Sequence, residues 1–124
     1  MLRDSFYNIL QDSQNTYTIC FNACHPIFAG HFPEHPVVPG ACLVQIAEEL
    51  AEIAYGYPVR FSAIRDLKFR QPIIPDQYVA VNVVKIAESV CSVQFTTPIT
   101  DSSMSAQLIA SFKAKFINTN NIKY

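Results

Sequence analysis

The sequence has almost no net charge, no long apolar run and no CxxC pair, and each absence excludes a class of function. Nine Lys and Arg against ten Asp and Glu leave a formal charge of -1, so the protein as a whole is not attracted to nucleic acid. The N-terminal stretch carries Arg3 and Asp4 and lacks the apolar core of a signal peptide, and no later segment is long enough to span a bilayer. We therefore expect a cytoplasmic protein whose partners are neither nucleic acids nor membranes.

The cysteines and histidines do not form a metal-binding pattern. None of the four cysteines pairs at CxxC spacing, so we expect reduced structural thiols. His25, His31 and His35 lie near Cys24, but prolines separate them and break the regular helix or hairpin that usually presents metal ligands. We expect no metal site.

The hydrophobic pattern predicts one α+β domain over residues 1–124. The hydrophobic content of 50% suffices for one continuous core. Periodicity predicts a short helix over residues 3–10, a strand over 16–23 and a long helix over 41–57. Alternating segments predict four further strands, over residues 61–71, 77–87, 90–98 and 104–116. The helix would bury itself against the concave face of an antiparallel sheet formed by these strands.

The segment between the first strand and the long helix has an unusual composition. Residues 25–40 read HPIFAGHFPEHPVVPG, with too many prolines for a helix or a central strand. The segment is nevertheless apolar, which an idle surface loop would not be. We expect an ordered loop that shapes a site, with Phe28, Phe32 and Val38 as candidates to line it.

Two stretches of this sequence resemble the hotdog-fold 3-hydroxyacyl-acyl-carrier-protein dehydratases. The first is Gly30-His31-Phe32-Pro33, followed by Pro36, Pro39 and Gly40 at the family's spacing and then by the long helix. The second is Phe69-Arg70-Gln71-Pro72-Ile73-Ile74-Pro75-Asp76, which is similar to the family's F-[KR]-x-P-[VI]-x-P-G-D pattern without its glycine. The order of elements also fits over roughly residues 16 to 117.

The resemblance implies a fold, an assembly and a reaction. It implies a helix wrapped by a curved sheet, and a dimer with two active sites at its interface. The loop histidine of one subunit and a carboxylate from the partner's central helix remove water from a 3-hydroxyacyl thioester, giving a trans-2-enoyl thioester without a metal or other cofactor. The substrate is held by the phosphopantetheine of acyl carrier protein, in fatty acid or specialised polyene or lipid biosynthesis.

The residue types suit this chemistry. Elimination needs a base for the proton beside the thioester carbonyl, an acid for the departing hydroxyl, and donors for the enolate oxygen. His31 suits the base because imidazole titrates near neutral pH. Gly40, at the start of the helix, offers an unobstructed backbone N–H at the positive end of the helix dipole.

The sequence departs from the family at the catalytic carboxylate. That position is Gln45, whose amide can hold a hydroxyl or a water but has no acidic proton to give. One helical turn further on stands Glu49, where relatives commonly carry glutamine, so the two residues look exchanged. Glu49 is either a displaced acid or, with Glu48 and Glu52, part of a solvated helix stripe.

Three functions remain open on these observations. The first is an active dehydratase that uses His31 with Glu49 or a Gln45-held water in the acid's place. The second is a catalytically silent subunit that pairs with an active homologue, and the third is a hotdog thioesterase. Basic residues at Arg65, Lys68 and Arg70 form a candidate docking site for the acidic acyl carrier protein, although an ordinary outward strand face would explain them equally.

Overall fold

The computed structural model describes residues 1–30, 34–99 and 105–121. Within these residues the chain forms six strands, one long helix and one short helix. In chain order these are β1 Tyr7–Ser13, β2 Thr16–Phe21, α1 Pro26–Gly30, α2 Gly40–Tyr55, β3 Val59–Phe69, β4 Tyr78–Ala87, β5 Val90–Thr96 and β6 Leu108–Asn118, followed by a 3-10 turn at Thr119–Asn121.

The strands form one antiparallel sheet in the order β1-β2-β4-β5-β6-β3. Strands β1 and β3 are therefore its two edges. Inward-facing residues alternate along the central strands, with Val79, Val81 and Val83 on β4 and Cys91, Val93 and Phe95 on β5 all fully buried. This alternation is the pattern of a sheet that covers a core with one face.

Helix α2 supplies the other side of that core. It follows Pro39 and ends at Gly56, whose φ of 78° is left-handed and whose N–H donates to the carbonyl of Glu52. The buried stripe of α2 belongs to the same hydrophobic cluster as the strands and comprises Leu43, Ile46, Ala47, Leu50 and Ala51. The predicted long helix and the five predicted strands are confirmed, with their ends shifted by up to four residues.

The prediction of a helix over residues 3–10 is wrong. Residues 4–6 form a turn and residues 7–13 form the edge strand β1, which pairs with β2. The two strands are joined at Gln14 and Asn15, both with positive φ, 46° and 69°. Such a two-residue connection matches the twist of a hairpin. The helical spacing of Leu2, Phe6 and Ile9 was coincidental, because pairing with β2 decides the conformation.

The prediction of an irregular segment over residues 25–40 is wrong at its start. Residues 26–30 form the short helix α1, which begins at a proline. Proline is well tolerated at the first helical position because its missing N–H has no intrahelical partner there. Among the described residues, no helix combines the length and apolar character needed to cross a membrane.

Candidate active site

A cavity lies beside the first turn of α2, where the two motif segments meet. Its volume is about 380 Å³, and it is lined by Val38, Gly40, Leu43 and residues 69–73. The N–H of Val38 donates to the carbonyl of Ile73 over 2.8 Å, which ties the proline-rich segment to the residues after β3. Residues 38–43 and residues 69–73 therefore form one wall.

Close packing at this wall favours glycine at position 40. A Cβ built on Gly40 would lie 2.9 Å from Cζ of Phe69, closer than carbon atoms approach. The Phe69 ring faces the inner side of the sheet because Phe69 pairs with the buried Ala110 of β6. Gly40 is also the first residue of α2, so its N–H has no partner within the helix.

The remaining predicted residues of the proline-rich segment fall in different places. His31 and Phe32 lie outside the described residues. Val38 is buried and lines the cavity. Phe28 is buried in the core, where its ring stacks on Phe6 with centroids 5.1 Å apart.

A second polar site lies further along α2, at Glu49. This side chain is only 5% exposed, and its carboxylate accepts four hydrogen bonds. Oε1 accepts from the N–H of Arg3 at 2.9 Å and from the hydroxyl of Tyr7 at 3.1 Å. Oε2 accepts from the N–H of Leu2 at 2.7 Å and from Nε2 of Gln45 at 2.9 Å. The structure thus brings Gln45 and Glu49 together and adds donors from residues 2–7, the N-terminal turn.

These hydrogen bonds hold Glu49 in its charged form. Burial raises the pKa of Glu49, but the hydrogen bonds from Leu2, Gln45, Arg3 and Tyr7 outweigh it and leave the pKa below its ordinary value. The pKa of Tyr7 is raised, first by burial and then by the facing Glu49 carboxylate. Glu49 is therefore an ionised acceptor at neutral pH.

The charge on Glu49 fixes the orientation of the Gln45 amide. A carboxylate only accepts hydrogen bonds, so the NH₂ group of Gln45 must face it and the amide oxygen must point away. Gln45 itself is half-buried. The arrangement leaves Gln45 Oε1 as an acceptor for an incoming group.

The interpretation of the acidic residues of α2 as a solvated stripe is wrong. Glu49 is buried, and Glu48 and Glu52 are partly buried. Glu48 accepts from the N–H of Phe61 at 2.8 Å, and Glu52 accepts from the N–H of Val59 at 3.1 Å. These two carboxylates bind the start of β3 to the helix, where an edge strand leaves backbone donors free.

Gly40 and Gln45 lie on different sides of α2. Five residues of an α-helix separate two side chains by roughly 140° around the axis. The cavity beside Gly40 and the amide of Gln45 are thus two separate surfaces of this chain.

The predicted docking residues are exposed, but they do not form one group. Arg65 and Lys68 pair with Lys113 and Ser111 of β6, whose neighbour Phe112 is buried inward. Both therefore face the outer side of the sheet. Arg70 follows the end of β3 and lines the cavity beside Gly40. Among the described residues, no group of three or more His, Cys, Asp or Glu is placed to hold a metal ion.

Sequence reasoning missed Tyr7 and the N-terminal turn as parts of the Glu49 site. One signal was available, because Glu49 stands three residues after Ile46 and one before Leu50, within the apolar stripe of the helix. A carboxylate in that position needs hydrogen-bond donors from elsewhere in the fold. The sequence did not indicate which segment would supply them.

Comparison with known proteins agrees with the resemblance. The model of the ApeI-like family, described as ApeI dehydratase, matches residues 8–116. The 3-hydroxyacyl-[acyl-carrier-protein] dehydratase FabZ of Ehrlichia ruminantium (strain Gardel) is 33% identical over 107 residues, which cover 77% of this chain and 72% of that protein.

Two solved structures share the fold. An uncharacterized protein from Erwinia carotovora subsp. atroseptica has a TM-score of 0.67 at 18% identity, covering 93% of this chain and 94% of that one. The dehydratase heterocomplex ApeI:P from Xenorhabdus doucetiae has a TM-score of 0.64 at 21% identity, covering 86% of this chain and 90% of that one. The hotdog α+β architecture and the dehydratase class inferred from the sequence are confirmed. This chain belongs to the ApeI-like dehydratase family of hotdog-fold proteins.

Proposed function

We propose that this protein removes water from 3-hydroxyacyl thioesters carried by acyl carrier protein and produces trans-2-enoyl thioesters, in fatty acid or specialised lipid biosynthesis. The observation that carries the proposal is the meeting of both motif segments at one cavity beside Gly40. The name of the FabZ relative gives the same reaction class and carrier. The cavity wall is mostly apolar, as a site for an acyl chain requires.

In this proposal His31 is the base and Gly40 stabilises the enolate. His31 removes the proton from the carbon beside the thioester carbonyl, and electron density moves to the carbonyl oxygen. The N–H of Gly40, at the start of α2, donates to that oxygen. The enolate then collapses, the carbon–oxygen bond to the hydroxyl breaks, and the double bond forms.

The departing hydroxyl needs a proton, and Glu49 is poorly suited to give it. Its two oxygens accept four hydrogen bonds and its pKa is lowered, so it carries no proton near neutral pH. We propose instead that the imidazolium of His31 returns the proton it has just taken. Gln45 Oε1 accepts a hydrogen bond from the substrate hydroxyl. This hydrogen bond directs a lone pair of the hydroxyl oxygen toward the imidazolium. Water leaves and His31 ends neutral.

The proposed site is completed by a second subunit. Gly40 and Gln45 are separated by roughly 140° around α2, so we expect that one substrate molecule does not contact both residues of the same chain. Edge strand β3 carries exposed apolar side chains at Leu67 and Phe69 and is a suitable pairing edge. A homodimer would then contain two equivalent sites.

Acyl carrier protein would dock on the basic residues near this cavity. Arg70 lines the cavity itself, while Arg65 and Lys68 face outward on β3. Lys113 is directly opposite Arg65, and the exposed Asp66 lies 3.8 Å from Lys113. A surface with this excess of cations favours an acidic carrier over a neutral one.

The pH dependence of the reaction tests the proton route. With one imidazole acting first as base and then as acid, kcat/KM should rise with pH through a single ionisation and then stay level. Formation of the conjugated enoyl thioester, followed by its absorbance, gives the rate, with His31→Ala as the inactive control. A bell-shaped profile in the wild type would contradict the single-imidazole route and indicate that a separate acid donates the proton.

A silent subunit that pairs with an active homologue is the second candidate. It is favoured by Gln45, which stands where the family's acid is expected, and by the likeness to a dehydratase heterocomplex. Purified alone, such a subunit would not dehydrate substrate. Activity that appears only on co-purification with a hotdog homologue, and that survives His31→Ala in this chain, would establish it.

A further inference from the structure

The Glu49 carboxylate is held mainly by residues far away in sequence. Three of its four donors come from residues 2–7, which stand 42 to 47 positions before Glu49. The turn that presents them is closed by its own hydrogen bonds, from Asp4 N–H to the carbonyl of Tyr7 at 2.7 Å and from Phe6 N–H to the carbonyl of Leu2 at 2.8 Å. The N-terminal turn, residues 2–7, is therefore a structured element that faces α2.

The ring of Tyr7 connects this turn to the sheet. Tyr7 is fully buried and begins β1, where it pairs with Phe21. Its hydroxyl reaches Glu49 inside the core, so the position of the hydroxyl is fixed by β1 and that of the carboxylate by α2. The hydrogen bond therefore joins two rigid elements.

The fourth donor on Glu49 is Gln45, and this connects the turn to the proposed reaction. A carboxylate with three fixed donors has a defined charge and position, and it imposes one orientation on the amide that supplies the fourth. If Glu49 lost one of these donors, its carboxylate would still accept from the NH₂ group of Gln45 but would be held less firmly, and the amide would shift with it. The amide oxygen would then be displaced from the substrate hydroxyl.

We propose that the N-terminal turn, acting through Tyr7 and the N–H groups of Leu2 and Arg3, is a positioning element of the active site that makes Glu49 orient the amide oxygen of Gln45 toward the substrate hydroxyl. Tyr7 and Glu49 are positioning residues, since they act through Gln45. The proposal rests on the dehydratase function proposed above.

Other charged groups lie close to Glu49, and the test is chosen so that they remain unchanged. Met1, Arg3 and Glu52 line a small cavity of about 140 Å³ beside Glu49, and Asp4 lies next to Arg3. A substitution at Arg3 or Glu52 would alter the field at Glu49 as well as its hydrogen bonds. Tyr7→Phe removes one neutral donor and keeps the buried ring.

Tyr17→Phe is the matched control. Tyr17 is 4% exposed, belongs to the same core cluster and lies on the neighbouring strand β2. Each variant removes one hydroxyl from a buried tyrosine ring. We expect Tyr7→Phe to lower kcat about tenfold with KM within about twofold, because misplacement of a positioned group slows the chemical step. Tyr17→Phe should leave both constants unchanged.

A second measurement tests the turn without relying on activity. The side-chain NH₂ of Gln45 gives a proton–nitrogen signal in ¹⁵N-labelled protein, and Gln45→Glu assigns it by its disappearance. We expect this signal to exchange slowly with solvent in the wild type and in Tyr17→Phe. In Tyr7→Phe and in Glu49→Gln it should shift and exchange faster, because the carboxylate that fixes the amide is perturbed or absent.

The two readouts separate failure of the positioning element from failure of the proposed function. A wild type that forms no enoyl thioester overturns the dehydratase proposal, while the NMR comparison still decides whether the turn orients Gln45. Equal kcat in wild type and Tyr7→Phe, with an unchanged Gln45 signal, overturns the positioning role. If the wild type is active and Tyr7→Phe shifts the Gln45 signal without lowering kcat, the positioning role is also overturned.

Discussion

Replacing Gln45 by glutamate puts a carboxyl group where the family resemblance leads us to expect the catalytic acid, and places it against an existing carboxylate. Nε2 of Gln45 now donates to Oε2 of Glu49 over 2.9 Å. Two carboxylate charges about 4 Å apart repel by about 4 kcal/mol at an effective dielectric constant near 20. That energy corresponds to about three pKa units and would raise the pKa of the introduced carboxyl from about 4.3 to about 7.

The introduced carboxyl would then hold a proton in about half of the molecules near pH 7 and could donate it to Glu49 or to the substrate. General acid catalysis typically contributes a hundredfold or more, so we expect Gln45→Glu to raise kcat/KM by about 10²-fold near pH 7. The pH profile should change from a plateau to a bell, with the new alkaline limb near pH 7. Measurement of the enoyl thioester by absorbance from about pH 5 to pH 9 covers both limbs.

The stability of the Gln45→Glu variant provides an independent check of the repulsion energy between the two carboxylates. The folded-state pKa of the introduced carboxyl lies above its unfolded value. Its favourable contribution is therefore fully present below about pH 4 and is lost as the pH rises through about 7. Urea unfolding at several pH values should show the variant weakening relative to wild type over that range.

A double variant separates the acid from the repulsion. Gln45→Glu with Glu49→Gln carries the acid without a facing carboxylate, so its carboxyl should keep an ordinary pKa and give a smaller gain at neutral pH. Unchanged rates and an unchanged profile in Gln45→Glu would refute the reasoning, because position 45 would then not face the departing hydroxyl.

Three further outcomes are expected. Glu49→Gln should be about 2–4 kcal/mol less stable than wild type at pH 7 by urea unfolding; because the pKa of Glu49 is lowered in the folded state, this difference should shrink as the pH falls below 4.5, its ordinary value. Gly40→Ala should raise KM for acyl substrates several-fold while costing only about 1 kcal/mol, since the half-exposed Phe69 ring can swing away. Arg65→Glu with Lys68→Glu should raise KM about tenfold for carrier-borne substrate but not for the pantetheine-borne analogue, and the difference should fade with added salt.

The fold was predictable where local pattern and tertiary pairing agree. Helix α2 has a long apolar period and clear end signals at Pro39 and Gly56, and the later strands alternate as a half-buried sheet requires. The edge strand β1 was missed because its apolar residues also fit a helical period. Its turn, Gln14-Asn15, lacks the glycine that usually marks a hairpin.

The candidate site was predictable only in its local parts. Gly40 follows from the spacing of a motif and Val38 from the apolar character of the proline-rich segment, and both line the cavity. The surroundings of Glu49 could not be predicted, because its donors on Leu2, Arg3 and Tyr7 lie more than 40 positions away. Helical spacing placed Glu49 near Gln45, as the structure shows, but gave no information on burial against the N-terminal turn.

The central claim is that this chain itself eliminates water from a carrier-bound 3-hydroxyacyl thioester. Mass spectrometry of the acyl carrier protein after incubation with the purified chain tests it most directly, with His31→Ala in parallel. The account predicts loss of one water from the carrier-bound acyl group with wild type and none with the variant. An unchanged carrier, or release of free acid in place of the enoyl thioester, would contradict it.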